Sequence, residues 1–151
     1  MFVLRNIIEQ CEEFRRPIVM NFIDFRKAFD SIHRPSMWKI LEHYCKPKKI
    51  INIIKHMYDE SRCSVRVGHE QTDWFSVETG VRQGDVLSSP LFNLVLYFIL
   101  RKLDVLEGGI TWTGSGKLKD LDYAEDICLL AENSAETQNL TNRLAEDAAK
   151  I

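Results

Sequence analysis

The stretch Leu121-Asp122-Tyr123-Ala124-Glu125-Asp126-Ile127-Cys128-Leu129-Leu130 places two adjacent acids between two short apolar runs. Apolar runs of this length, separated by a bend, predict a tight hairpin whose strands pack against a core. Glu125 and Asp126 then project from its corner, where like charges repel unless a divalent cation lies beside them. The alternative interpretation is a solvated acidic turn, because acids are common at exposed bends.

The composition around this stretch is that of an ordinary globular protein. The 151 residues are 45% hydrophobic and 28% charged, so we expect one domain covering residues 1–151. A net charge of -2 and a pI near 6.1 count against strong nucleic-acid binding. The cysteines are far apart and are expected to be reduced thiols of an intracellular protein: Cys11, Cys45, Cys63 and Cys128.

No targeting or membrane segment is predicted. The longest apolar run, Leu91 to Leu100, is shorter than the ~20 residues that span a bilayer. The N-terminus has no basic leader ahead of a hydrophobic stretch, so secretion is not expected. We expect an intracellular protein of the nucleus or cytoplasm.

Upstream of the acidic hairpin, the pattern predicts helices around one strand. Apolar residues recur at helical spacing from Val3 to Phe14, and the apolar run Ile18–Ile23 predicts a strand buried at the centre of a sheet. The strand ends at Asp24, which either presents a reactive group or caps the next turn. Two helices that open near Pro35 and Pro47 are expected to pack on this sheet.

The middle of the chain predicts a hairpin and a glycine-containing loop. Cys63, Val65 and Val67 alternate with polar residues, which is typical of a hairpin with one wet face. Gly80 and Gly84 precede a predicted helix from about residue 87 to 106. Such a loop either lets phosphate or a base approach the backbone or is a plain turn into a core helix.

Turns and a helix complete the prediction. Turns at residues 108–109 and 113–116 flank a short strand at Ile110–Trp112. The last segment, Ser134 to Ile151, predicts a helix with Ser134 as its cap.

Three segments, in this order, resemble the core motifs of the reverse transcriptases of non-LTR (LINE-type) retrotransposons. The resemblance runs from about Leu4 to the end of the chain. It implies RNA-directed DNA polymerase chemistry and an α+β fold, the palm of a right-hand polymerase with an antiparallel sheet packed by helices on one face. The segments are Phe22-Ile23-Asp24-Phe25-Arg26-Lys27-Ala28-Phe29-Asp30-Ser31, Gly80-Val81-Arg82-Gln83-Gly84-Asp85-Val86-Leu87-Ser88-Ser89-Pro90-Leu91-Phe92-Asn93 and Leu121-Asp122-Tyr123-Ala124-Glu125-Asp126.

Residue by residue, the resemblance implies a two-metal site for nucleotidyl transfer. Asp24, Glu125 and Asp126 would bind Mg2+ (or Mn2+) ions ~4 Å apart, which activate the primer 3′-oxygen and steady the leaving pyrophosphate. Carboxylates suit this task because hard cations prefer oxygen ligands.

The same resemblance implies contacts with an RNA template, a DNA primer and a dNTP. Phe25 would contact the nucleotide and the template. Phe29 would lie under the sugar of the nucleotide and disfavour a sugar that carries a 2′-hydroxyl. Gln83 and Gly84 would lie along the template strand and the incoming nucleotide. Tyr123 stands at the first position of the family's Tyr-Ala-Asp-Asp box, so it too is expected to contact the substrates.

Glu125 departs from the family pattern, since active members carry Asp at the first acid of the box. The extra methylene moves the carboxylate by over ~1 Å, whereas Mg2+ requires near-octahedral geometry. A misplacement of that size costs on the order of a hundredfold in rate. We therefore predict little or no polymerisation by this chain.

We also expect the fingers segment before Val3 and the thumb after Ile151 to be missing. A palm core without these basic parts is expected to bind primer and template weakly and in a salt-sensitive way. The uncovered palm surface favours self-association.

Two other functions fit parts of the pattern. A palm that has lost its chemistry would be a non-catalytic module that binds nucleic acid or protein. A receiver-like α/β domain would use paired acids for Mg2+, but its acids would follow an early strand together instead of standing at a late hairpin.

Overall fold

A computed structural model describes residues 2–44, 47–112 and 116–151. Cys45 and most of the turn predicted at residues 113–116 lie outside the described residues. In chain order the elements are α1 (Phe2–Glu13), β1 (Val19–Asp24), α2 (Ala28–Ser31), α3 (Arg34–Tyr44), α4 (Lys48–Tyr58), β2 (Arg62–Cys63), β3 (Arg66–Val67), β4 (Glu70–Gln71), β5 (Phe75–Ser76), α5 (Ser88–Leu100), β6 (Ile110–Thr111), β7 (Lys117–Leu118), β8 (Asp120–Tyr123), β9 (Asp126–Ala131) and α6 (Ser134–Ala148).

Helices and short antiparallel strands are mixed along the chain, which confirms the mixed helix-and-strand class. Two compact units are formed: the first holds the chain up to Arg26 together with Leu96–Lys150, and the second holds Lys27–Val95 and Ile151. Among the described residues, no helix is both long enough and apolar enough to cross a membrane.

The first unit is built on a three-stranded antiparallel sheet with the order β1-β9-β8. The predicted acidic hairpin is confirmed, because β8 and β9 pair and a two-residue turn joins them. The prediction that Ile18–Ile23 is the central strand is wrong. The central strand is β9, whose last five residues are buried, while the residues of β1 are half-buried or exposed. Apolar composition favours a strand but does not reveal which neighbours that strand will pair with.

Helices pack on both faces of this sheet. On one face, Ile7 of α1 joins a buried cluster with Cys128 and Leu130 of β9. On the other face, Nδ2 of Asn21 donates to Oγ1 of Thr141 in α6 at 2.9 Å. Alternate residues of a strand point to opposite faces, so α1 and α6 lie on opposite sides. The expectation of helices on one face only is wrong, because β9 is apolar on both of its faces and each needs cover.

The turns that follow α5 are held by a buried lysine. The helix ends at Leu100 instead of extending to residue 106, and turns follow. Nζ of Lys119 donates to the carbonyl oxygens of Leu103 at 3.0 Å and Asp104 at 2.8 Å, and also to that of Leu106. The three bonds tie these turns to the residue that precedes β8, because one ammonium group donates to carbonyls from several turn residues.

A side chain caps the N-terminal end of α6, and an ion-paired acid lies near its C-terminal end. The cap is Asn133, one residue before the predicted Ser134, and its side chain accepts a hydrogen bond from the backbone N–H of Glu136 at 2.9 Å. Near the other end, the carboxylate of Asp147 is buried and pairs with three cations, Lys102, Arg143 and Lys150. A buried acid is tolerated here because it is paired.

In the second unit, helix α3 is tied to the glycine-containing loop. Arg34 is buried and donates from Nε to the carbonyl of Gly80 at 2.9 Å and from Nη1 to that of Val77 at 2.6 Å. Its guanidinium lies 5.0 Å from the centre of the Tyr58 ring at the end of α4. Trp38 contacts the same ring edge to face, with 5.6 Å between ring centres. These contacts join α3, α4 and the loop.

The predicted hairpin of residues 62–77 forms, but neither of its faces is buried, whereas the sequence pattern predicts one buried face. It consists of two short ladders, β2 with β5 and β3 with β4, and all of their residues are exposed. Val67 is 73% exposed and Val65 is 50% exposed. Ladders of two residues present too little apolar surface to bury a face of their own.

Stability is expected to depend on the ionisation of Asp120. Burial raises the pKa of this carboxyl from 3.8 to about 6, with Asp122 and Asp104 adding to the shift and Lys119 opposing it. The folded state therefore binds more protons than the unfolded state between about pH 4 and pH 6, and stability falls as the pH rises through that window.

We expect Asp120→Asn to raise the free energy of unfolding at about pH 7 by on the order of 1 kcal/mol, after allowance for solvent screening, with little change below about pH 4. Urea denaturation at the two pH values measures this difference. Asp30→Asn, at an exposed acid of the second unit, is the control. A gain of the same size at both pH values would contradict the assignment.

Candidate active site

The register of β1 on β9 sets two predicted site residues side by side. The pairing runs from Val19 opposite Ala131 to Asp24 opposite Asp126. Directly opposed residues of an antiparallel pair have Cα atoms roughly 4.5 to 5.5 Å apart and side chains on the same face. Asp24 and Asp126 are both exposed. Two carboxylates that are distant along the chain therefore meet at one edge of the sheet.

The turn between β8 and β9 separates the two adjacent acids. Tyr123 pairs with Asp126, which leaves Ala124 and Glu125 as the turn. Ala124 has φ of +53°, a left-handed conformation that costs a residue with a side chain about 1 to 2 kcal/mol. Tight hairpins require positive φ at their first turn residue. Asp126 thus belongs to the strand, while Glu125 is half-buried in the turn.

A cavity of about 600 Å³ opens beside the paired acids. Asp24 and Asp126 line it together with apolar side chains, of which Phe22 is 65% exposed and Tyr123 is 83% exposed. Glu125 is not among the lining residues. The full lining is Val3, Leu4, Phe22, Ile23, Asp24, Leu121, Asp122, Tyr123, Asp126, Ile127 and Cys128.

The donor chemistry of this pair suits a magnesium ion. Mg2+ in proteins is commonly bound by one or two carboxylates, with water and substrate phosphates filling the other positions. Asp24 and Asp126 supply two such carboxylates. Within the described ranges, no three His, Cys, Asp or Glu side chains gather closely enough to hold a metal ion. The assignment of Glu125 as a third ligand stays a prediction.

The remaining predicted residues fall in both units. Phe25 follows β1 in the first unit and is half-buried. In the second unit, the backbone N–H of Val81 donates to the carbonyl of Phe29 at 2.8 Å, so the first motif and the glycine-containing loop fold together there. The Phe29 ring stacks on Phe92, with 4.7 Å between ring centres. Gln83 is exposed in the same loop.

The two glycines of the loop differ in their surroundings. Gly80 has φ of +73°, and a Cβ placed on it would lie 2.7 Å from the Cα and carbonyl oxygen of Asp30. Gly84 has φ of +90°, but nothing lies within 4 Å of the corresponding position. Gly80 therefore permits packing within the chain, whereas Gly84 leaves open space beside the backbone.

Sequence reasoning missed Arg34. Its two hydrogen bonds to the carbonyls of Gly80 and Val77 position the loop that contains Gln83 and Gly84. A lone arginine next to a proline carries no signal in the sequence that distinguishes it from a solvated surface charge.

Comparison with known proteins defines the class to which this site belongs. Residues 3–151 match the family described as reverse transcriptase (RNA-dependent DNA polymerase). The chain therefore belongs to the reverse transcriptase family. Its relatives include Pol polyproteins of R2 elements, so the prediction of a non-LTR reverse transcriptase domain is confirmed.

Three relatives illustrate the likeness. The retrovirus-related Pol polyprotein from the type-1 retrotransposable element R2 of Nasonia vitripennis is 31% identical over 94% of this chain and 14% of its own length. The Pol polyprotein from the type-2 element R2DM of Drosophila melanogaster is 31% identical over 87% of this chain and 12% of its own length. The transposon TX1 149 kDa protein of Xenopus laevis is 25% identical over 88% and 10%. The chain thus spans less than a fifth of the length of these relatives.

The two glycines provide a test of the loop. We expect Gly80→Ala to destabilise the chain by about 2 to 4 kcal/mol, because the new methyl group would overlap backbone atoms of Asp30 and would also meet an unfavourable φ. Gly84→Ala adds the φ penalty alone, about 1 kcal/mol. Urea denaturation of both variants measures the difference, and equal losses would show that the contact with Asp30 is not tight.

Proposed function

We propose that this chain is the palm core of a non-LTR reverse transcriptase, in which Asp24 and Asp126 hold the divalent cation, Mg2+ or Mn2+. The observation that carries the proposal is the β1–β9 register, which sets the two carboxylates opposite each other in a chain of this family. Two like charges at that position repel each other, and a bound cation would offset the repulsion.

The proposed reaction is transfer of a nucleotide to the 3′ end of a primer. The chemistry supplied by bound cations is activation of the primer 3′-oxygen and neutralisation of charge on the leaving pyrophosphate. Asp24 and Asp126 would orient the reacting groups from two strands whose separation the ladder holds nearly constant. Tyr123, beside Asp126 on the neighbouring strand, would form a wall of the same site.

The substrates of the proposed site are an RNA template, a DNA primer and a dNTP. Phe25 and Phe29 are assigned to the nucleotide, and Gln83 and Gly84 to the template and the incoming nucleotide. The exposure of Gln83 and the open space beside Gly84 support these roles, because a strand needs access to the backbone. An intracellular location is part of the proposal, since these nucleic acids are found inside the cell.

Self-association through the surface around the acids is also proposed. Phe22 and Tyr123 leave much of their aromatic surface in solvent there. Contiguous exposed apolar surface on a folded protein favours association with another protein surface.

Metal binding tests the proposed role of the paired acids. We expect calorimetric titration with Mn2+ to show a site whose affinity falls at least tenfold in Asp24→Asn and in Asp126→Asn, because each change removes one of two charged ligands. Asp30→Asn, at an exposed acid of the second unit, is the matched control. Unchanged affinity in both of the first two variants would favour the non-catalytic binding module.

Primer extension tests the role of Glu125. We expect Glu125→Asp to raise extension on an RNA template by about tenfold to a hundredfold over the native chain, because the shorter side chain restores the reach that the metal geometry requires. Glu125→Gln should give no gain. Equal rates for the native chain and Glu125→Asp would remove the argument from side-chain length.

A further inference from the structure

A cleft of about 810 Å³ in the second unit lies among arginines and an exposed tryptophan. The side chains that matter here are Arg34, Arg62, Arg82, Trp74 and Gln83, and all five line the cleft. It belongs to a different part of the chain from the cavity that holds Asp24 and Asp126.

Arg82 is held in place by an aromatic ring and a hydroxyl group. Its guanidinium lies 5.3 Å from the centre of the buried Tyr58 ring, and Nη2 donates to Oγ of Ser61 at 3.0 Å. Arg34 lies against the same ring and is occupied by two backbone carbonyls. A guanidinium has five N–H donors, so Arg82, which is exposed, retains donors for a ligand after its bond to Ser61. The side chain is therefore oriented before a ligand arrives.

The β2–β5 ladder presents Arg62 and Trp74 to the same cleft. Arg62 pairs with Ser76 and Cys63 with Phe75, which fixes the segment that contains Trp74 beside the strand that contains Arg62. The Trp74 side chain is 66% exposed, although burial of an indole is favourable. An exposed indole next to guanidinium groups is the combination that binds single-stranded nucleic acid, by stacking on a base while the cations contact phosphates.

The charge of the chain is divided unevenly between the units. The second unit has ten Lys and Arg against eight Asp and Glu, a net charge of +2, whereas the rest of the chain has ten against fourteen, a net charge of -4. Asp30 and Glu60 also line the cleft, so its local excess of positive charge is small. Such a cleft suits one or two phosphates of a flexible strand, not the dense phosphate array of a duplex.

We infer that this cleft is a binding site for a single-stranded polynucleotide, with a base stacked on Trp74 and its phosphates contacted by Arg62 and Arg82. The inference rests on the proposed function, which supplies such a strand in the form of the RNA template. Gln83 lines this cleft and also belongs to the loop that is assigned to the template.

The test is fluorescence anisotropy of a labelled single-stranded RNA oligonucleotide titrated with the full chain. Trp74→Ala should weaken binding about fivefold to a hundredfold, because stacking of one base is lost, while Trp74→Phe should recover most of the affinity. Arg62→Ala should weaken binding and lower the slope of log K against log salt by about 0.7. Circular dichroism confirms that each variant is folded.

Arg66→Ala is the matched control for charge. It removes one arginine from the neighbouring β3–β4 ladder, and Arg66 does not line the cleft. Its effect on RNA affinity should be less than twofold. Equal weakening by Arg62→Ala and Arg66→Ala, or unchanged affinity in Trp74→Ala, would overturn the inference. A matching DNA oligonucleotide distinguishes the source of the strand, and tighter binding of DNA than of RNA would overturn its assignment to the template.

Failure of this inference is distinguishable from failure of the proposed function. The two proposals have separate readouts, because Mn2+ affinity reports on Asp24, which does not line the cleft, and RNA affinity reports on Trp74, which does. If Asp24→Asn weakens Mn2+ binding but Trp74→Ala leaves RNA affinity unchanged, the cleft assignment is overturned and the metal-site proposal is supported. If Trp74→Ala weakens RNA binding but Asp24→Asn leaves Mn2+ affinity unchanged, the cleft assignment is supported and the metal-site proposal is overturned.

Discussion

The pairing of β1 with β9 is the constraint on which the candidate active site depends. Side chains alternate along a strand, so a slip of one residue would carry Asp126 to the face opposite Asp24. Contacts on both faces hold the register: Asn21 bonds to Thr141 of α6 on one side, and Cys128 packs with α1 on the other. The positions of the two carboxylates therefore depend on packing contacts made by residues that take no part in the proposed reaction.

Three features that cost stability meet at this edge of the sheet. Asp24 and Asp126 are like charges in directly opposed positions, Ala124 adopts a left-handed conformation, and the Tyr123 ring is largely in solvent. Among the described residues, Oη of Tyr58 is the one buried side-chain oxygen or nitrogen without a hydrogen-bond partner. Proteins tolerate such local violations mainly where function requires them, which agrees with the proposed role of this edge.

Local patterns predicted the elements well and their surroundings less well. The hairpin around Glu125 follows from two apolar runs and a bend, and the helices near Pro35 and Pro47 follow from their periodicity. The central position of β9 does not follow, because Ile18–Ile23 is at least as apolar in sequence. The exposure of Val67 could not be predicted either. Alternation of apolar and polar residues shows which side chains share a face of the hairpin, but not whether another element covers that face.

The sequence by itself determined the order of the elements, the three motifs and membership in the reverse transcriptase family. These depend on residues close together along the chain, where periodicity and turn chemistry act directly. Only the tertiary structure decided that Asp24 stands opposite Asp126, that Glu125 belongs to the turn and that Arg34 holds the Gly80 loop. It also divided a weakly acidic chain into a positive and a negative unit. Such choices follow from the packing free energy of segments far apart in sequence, which no local pattern encodes.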